Sequence, residues 1–242
     1  MTEAPPDIET SSANYAQRFA GPVGEYFLEV QARQVSQLLT NRKGEKTSIL
    51  ELGGGHLQLA PILARAGHRV TVHGSTMGCF SRVGHTLSPT ISLVVGSLDR
   101  LPFADQSFDV VLAVRLIAHV KGWRELICEM ARIARHQIVI DYAPLESFNV
   151  LTPLLFPFKK LIEKNTRHYL VHRTGELRRQ FERCGFSEFS AERQFFLPMG
   201  VHRGVGRREF TERVEDTTRL LKLTNYFGSP GVISALREGA RD

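Results

Sequence analysis

The residues best suited to chemistry fall in one short run, Ile49-Leu50-Glu51-Leu52-Gly53-Gly54-Gly55-His56. Apolar residues lead into three glycines, the pattern of a strand that enters a tight turn and then a helix. Gly53 and Gly55 lack a Cβ, so the backbone there can approach a ligand closely and leave the N–H groups of the next helix open to it. Glu51 ends a buried strand, and a carboxylate removed from water needs a partner. That partner is either a ligand or the loop backbone. His56 either approaches the ligand or starts the helix as a solvated residue. His119 is a general-base candidate, since histidine titrates near working pH; the alternative is a helix-start histidine whose ring is already satisfied. Asp141, at the end of a later strand, suits orienting a hydroxyl or forming a turn. His168 and His172 stand four apart, a spacing that suits a metal pair on a helix, but no third ligand accompanies them.

These residues must be positioned by elements that the pattern also suggests. Residues 1–12 are rich in Pro, Ser and Thr and are expected to fray. From Tyr15 to Leu39 apolar residues recur at helical spacing, interrupted at Gly21-Pro22, which reads as two helices. Strands are expected at 48–52, 69–73, 93–95, 108–114 and 138–141, with helices at 56–66, 77–85 and 123–134 between them. Such alternation, with apolar strands and short loops, implies a parallel sheet covered on both faces. After Tyr142 it stops. Residues 144–169, rich in Phe, Leu and Pro, read as an insertion. A helix at 174–184 follows, then a pair of edge strands at 186–197 and 231–236 separated by a charged helix at 207–223. The glycine run is not a dinucleotide fingerprint, because G-x-G-x-x-G places its third glycine at Gln58.

Taken in order, the motifs resemble those of class I S-adenosylmethionine (SAM)-dependent methyltransferases. The acidic residue followed by G-x-G at Glu51–Gly55 is similar to the family's first motif. Gly96-Ser97-Leu98-Asp99-Arg100-Leu101-Pro102-Phe103 resembles its GDAxxLPF loop, and Asp105–Val111 resembles its D-x-S-F-D-x-V fourth strand. Arg115–Val120 is similar to the xxLxHV segment that follows, and Phe181–Phe186 to the L-x-x-A-G-F before the last hairpin. The resemblance spans residues 48–189 and implies a Rossmann-like seven-stranded α/β sheet with helices on both faces. It further implies an N-terminal helical cap over 1–45, a SAM-binding core over 46–143, and a lid insertion, last helix and β-hairpin over 144–242.

By the same resemblance Glu51 would face the methionine end of SAM, and Gly53 and Gly55 would permit its close approach. Ser97 and Leu98 would lie beside the adenine, Arg115 would line the pocket after the fourth strand, and Tyr15 would reach the cofactor from the cap. The sequence departs from the family at three places. The last glycine of the first motif is Leu57, the aspartate of the third loop is Ser97, and Val72-His73-Gly74-Ser75-Thr76 lacks the acidic residue that grips the ribose. Ser75 and Thr76 are the neutral substitutes on offer.

Composition narrows the partners. The chain has 242 residues and a formal charge of +6, with 31 basic and 25 acidic residues. Residues 1–120 carry ten of each sign, so the excess lies in the second half. No stretch reaches the about 20 apolar residues that a bilayer span requires. The N-terminus shows no secretory signal, and Cys79, Cys128 and Cys184 lack CxxC spacing. Core thiols and a cytoplasmic location are expected. The insertion suits a lid over an apolar pocket, with peripheral membrane contact through 148–164 as the alternative. Residues 167–213 hold ten arginines among six glutamates, which argues for a solvated, ion-paired face rather than nucleic acid. The expected function is methyl transfer from SAM to a small, partly apolar acceptor of quinone-precursor, lipid or natural-product type, with His119 as base. The alternatives are a degenerate fold that acts as a binding scaffold, and an RNA-directed methyltransferase.

Overall fold

The computed structural model describes residues 5–39, 46–82, 88–147 and 169–239. Three helices, α1 (Pro6–Thr10), α2 (Ala13–Ala16) and α3 (Gly21–Leu38), precede β1 (Ser48–Leu52). Then come α4 (Ala60–Arg65), β2 (Arg69–Gly74), β3 (Ile91–Val95), β4 (Phe108–Ala113), α5 (Trp123–Ile133), β5 (Ala134–Pro144) and β6 (Val171–His172). The chain ends with α6 (Thr174–Arg183), β7 (Phe186–Phe195), α7 (Met199–Val205), α8 (Arg208–Leu220), α9 (Leu223–Phe227) and β8 (Ser229–Arg237). The main sheet runs β3-β2-β1-β4-β5-β8-β7, and the two-residue β6 pairs with β5. Strands β1 to β5 are parallel, and β8 is antiparallel to both β5 and β7.

Side chains alternate between two cores, because successive strand residues face opposite sides. Leu50, Leu52, Val111, Ala113, Ile138 and Ile140 meet Trp123 and Ile127 of α5 and Leu177 and Phe181 of α6. Ile49, Val70, Val72, Val110, Leu112 and Val139 meet Val35 of α3 and Leu63 of α4. By this alternation Glu51 and Asp141 belong to the face covered by α3 and α4. Gln137, on the same face, ties α3 to β5 by donating from Nε2 to the Leu38 carbonyl at 2.6 Å.

Several elements differ from the pattern reading. Helix α1 stands where a frayed tail is expected, and Asp7, Thr10 and Ser11 are buried. Pro at the first turn with acidic residues behind it is a helix start, and burial holds the short helix in place. The helix expected from His56 begins only at Ala60, because the turn continues through Gln58. The helix expected at 77–85 is a single 3-10 turn at Met77–Phe80, with 83–87 outside the described residues. Strand β8 is interior rather than an edge, since it pairs on both sides; its run Val232-Ile233-Ser234-Ala235 is buried throughout. Cys128 and Cys184 form a disulfide where thiols are expected, brought together as α5 meets the end of α6, with Cα atoms 5.6 Å apart. Cys79 is a buried free thiol. The lid reading of 144–169 and the membrane reading of 148–164 fall largely or wholly on 148–168, outside the described residues. No described helix is long and apolar enough to cross a membrane.

Candidate cofactor site at the strand ends

The glycine turn folds back over its own strand. Gly53 takes φ +64° and donates its N–H to the His73 carbonyl at 2.9 Å. A Cβ on Gly54 would lie 2.6 Å from Cγ and Cδ of Glu51, and one on Gly55 would lie 2.2 Å from the Cys79 carbonyl oxygen. Neither position admits a side chain. Leu57, at the place of the family's last glycine, keeps a left-handed φ of +49°. For a residue with a Cβ that conformation costs about 1–2 kcal/mol, and its side chain gains contact with the core beneath α4.

The turn encloses polar groups that lack well-formed hydrogen bonds. Glu51 is fully buried, and its carboxylate has no hydrogen bond of normal geometry, only a loose interaction with the Ala60 backbone N–H at the start of α4. Burial pushes its pKa up to about 8, against the pull of the Arg115 charge. Arg115 lies just past β4 at φ +59°. Its backbone N–H donates to Asp141 Oδ1 at 2.6 Å, and its guanidinium stacks over the Phe19 ring at 4.5 Å. All three guanidinium nitrogens are buried without a partner. Asp141 also accepts from Gln31 Nε2 of α3 at 3.2 Å, and burial raises its pKa to about 6. Burial likewise raises Tyr15, whose hydroxyl feels the charges of Arg115 and Asp141. His56 is buried rather than solvated. Burial, and then the Arg115 charge, push its pKa well below the ordinary histidine range, so the ring is neutral.

A second polar group forms where β1 and β2 end. Asp7 of α1 is fully buried. Its carboxylate accepts from the Ser75 backbone N–H and the Ser75 Oγ–H, each at 2.6 Å. His73 is buried, with no hydrogen bond of normal geometry at either ring nitrogen and a loose interaction with the Gly96 backbone. Burial lowers its pKa, and the Asp7 charge opposes that shift.

The structure thus brings Glu51, Gly53, Gly55, Arg115 and Tyr15 together. Ser75 belongs to the adjacent Asp7 group, and Thr76 points toward Cys79, with Oγ1 3.9 Å from Sγ. Ser97 is exposed and accepts from the Asp99 N–H at 3.1 Å, while Leu98 leans on the core beneath α5. His119 ends a 3-10 turn, Ile117–His119, three residues beyond the buried Leu116, and is half-buried. His172 sits edge-on against Trp123 with ring centroids 4.9 Å apart. Sequence reasoning missed Asp7, His73 and Gln31. Pro5-Pro6-Asp7 carried a legible helix start, but nothing local pairs Asp7 with Ser75.

A sheet of this order, parallel except for β8 and with a glycine turn after β1, has the fold of class I SAM-dependent methyltransferases. Within it, residues 50–138 match the family described as methyltransferase domain. Solved structures agree over nearly the whole chain. A Thermotoga maritima SAM-dependent methyltransferase, described as a possible histamine N-methyltransferase, superposes with a TM-score of 0.66 at 17% identity, covering 96% of this chain and 99% of that one. Magnesium protoporphyrin IX methyltransferase from Synechocystis, with bound S-adenosylhomocysteine (SAH), gives 0.64 at 12% identity, covering 96% and 98%. A Haemonchus contortus phosphoethanolamine N-methyltransferase gives 0.62 at 16% identity, covering 86% of this chain and 52% of that one. No curated protein sequence matches.

Proposed function

We propose that the protein transfers a methyl group from SAM to a small, partly apolar acceptor of quinone-precursor, lipid or natural-product type. The observation that carries this reading is the pair Glu51 and Arg115, whose carboxylate oxygens and guanidinium nitrogens are buried without hydrogen bonds of normal geometry at the ends of β1 and β4. Burial favours the protonated form of Glu51 and leaves the Arg115 cation without hydrogen-bond partners; a zwitterionic ligand would stabilise the ionised carboxylate and pair the cation. The methionine end of SAM offers an ammonium for Glu51 and a carboxylate for Arg115, so the residues present fit the cofactor. Bound there, SAM supplies a methyl group on a sulfonium, already a good leaving group.

The chain's own task is then mainly positional. Glu51 and Arg115 hold the ligand, while Phe19 and Tyr15 cover Arg115 and keep water from it. Holding donor and acceptor in line supplies on the order of 7–11 kcal/mol. His119, just past β4, is the proposed base for a hydroxyl acceptor. Helices α1 and α2 lie close over the strand ends, and such closure favours a small acceptor over a polymer. The neighbours named for magnesium protoporphyrin IX and phosphoethanolamine support the same branch.

Calorimetric titration with SAH tests the reading. Micromolar binding that Glu51→Ala weakens at least tenfold is expected. No heat at millimolar SAH would sink it, and a folded chain that ignores SAH yet co-purifies with another polypeptide would favour the scaffold alternative. With methyl-labelled SAM, label is expected in solvent-extractable small molecules; label in RNA would overturn the acceptor class.

A further inference from the structure

In open α/β sheets ligands bind outside the carboxyl ends of the strands, and nucleotide sites place a carboxylate about 20 residues past the first turn glycine, where it takes the ribose hydroxyls. Counted from Gly53, that position is His73, which carries no charge to offer. The carboxylate is nevertheless present in space. Asp7 arrives from α1, is fully buried, and is tied to Ser75, two residues further along the chain than His73. Its Cβ lies 3.4 Å from where a Cβ on Gly53 would stand, so it occupies the gap between the ends of β1 and β2.

We infer that Asp7 is the ribose-binding carboxylate of the cofactor site, delivered by the N-terminal helix instead of by β2, with the His73 ring beside it as a neutral second partner for the diol. The inference rests on the SAM reading above. A carboxylate offers about four lone-pair positions. Ser75 fills two of them, one on each oxygen, and so holds the group in place while two remain for a pair of hydroxyls. His73 adds a buried ring next to the same carboxylate, with one nitrogen drawn to the Gly96 backbone and the other left for the ligand. Ser11, one turn after Asp7, has its buried Oγ 2.6 Å from where a Cβ on Gly55 would stand. Helix α1 therefore follows the glycine turn closely, and the segment before α3 is part of the cofactor site.

The test is calorimetry of the full chain with two ligands, SAH and its 2′-deoxy analogue, for wild type, Asp7→Asn and Ser75→Ala. A hydrogen bond to a charged group predicts that Asp7→Asn weakens SAH binding about 10- to 100-fold. The penalty should be several-fold smaller on the deoxy ligand, which keeps only the 3′-hydroxyl to feel the charge. Ser75→Ala, which loosens the carboxylate, should show the same ligand-dependent pattern to a smaller extent, and it decides the matter if Asp7→Asn fails to fold. Equal losses on both ligands would mean a structural role only and would overturn the inference. Unchanged or tighter SAH binding in Asp7→Asn would overturn it too, the latter by showing that the carboxylate obstructs the pocket. A wild-type chain that ignores SAH fails the cofactor reading and this inference together, whereas a wild type that binds and an Asp7→Asn variant that binds equally well fails the inference alone.

Discussion

Glu51 makes the sharpest demand on the site because its two expected effects have opposite signs. The carboxyl ordinarily titrates near 4.5, and burial lifts it to about 8 in the folded chain. Between these values the unfolded chain has released the proton and the folded chain still holds it. Wild-type stability therefore falls by about 1.4 kcal/mol per pH unit from this group as pH rises toward 8, and levels off above it. Summed to neutrality the burden is on the order of 3 kcal/mol, and above pH 9 on the order of 5 kcal/mol. Glu51→Gln keeps the volume and removes the titration, while its unpaired amide still costs about 1–3 kcal/mol. Urea unfolding at pH 5, 7 and 9 should thus find the variant equal to or less stable than wild type at pH 5, and more stable by about 2 kcal/mol or more at pH 9. SAH affinity should fall at least tenfold in the same variant. Binding to wild type at pH 7 should also release about 0.9 of a proton, because the ligand's ammonium requires the ionised carboxylate; calorimetry in buffers of different ionisation enthalpy reads this directly. A stability difference that stays flat across pH, or binding with no proton release, would refute the reasoning.

Three further substitutions probe neighbouring links. Arg115→Met keeps the backbone N–H bond to Asp141 and removes the unpaired cation; thermal unfolding should find the variant as stable as wild type or more stable by up to about 4 kcal/mol, while SAH binding falls more than tenfold by calorimetry. Asp141→Ala strips the acceptor from the Arg115 amide and the Gln31 side chain, and should lower urea stability by about 2–4 kcal/mol. Far from the site, Glu215 accepts from the Phe196 and Leu197 amides at 2.7 and 3.1 Å and lies 2.8 Å from His202 Nε2. Glu215→Ala should therefore destabilise by about 3–5 kcal/mol in thermal unfolding without altering SAH affinity in the remaining folded protein.

The parallel half of the fold was legible where a strand is an apolar run bounded by punctuation, whereas β5, read as 138–141, follows α5 without a break and runs Ala134–Pro144. Ser48–Leu52 and Phe108–Ala113 needed nothing beyond that pattern. The helix between β1 and β2 was read too long for a local reason. His56 and Leu57 look like the first turn of a helix, but the positive φ at Leu57 carries the turn on to Leu59. Composition misled at the N-terminus, where Pro, Ser and Thr suggest disorder. A five-residue helix has no independent stability, and the bonds of Asp7 to Ser75 and the contact of Ser11 with the glycine turn hold it. The same limit applies to the site. Glu51, Gly53, Gly55 and Arg115 lie on elements whose order a motif records, whereas the partnerships Asp7–Ser75 and Gln31–Asp141 span 68 and 110 residues and leave no local trace.

The basic second half also changes meaning once its side chains are placed. A surface that neutralises phosphates needs guanidinium groups held out to solvent along one track. Several arginines here are turned to other work. Arg208 forms a fork with Glu29 of α3 and a further bond to Glu212, and Arg193 reaches Glu146, the Gly228 carbonyl and Thr174. Arg124 pairs with Glu176, and Arg237 caps the carbonyls of Ala131 and Ala134 at the end of α5. Apart from Arg208–Glu212, which lies within α8, these bonds join separate elements, and the Arg208–Glu29 fork holds α8 against α3. Exposed pairs of this kind contribute little one by one, but arginine forks fix geometry. In this half of the chain, arginine is better understood as a fastener between the N-terminal helices, the sheet and the C-terminal helices than as a surface for a polyanion.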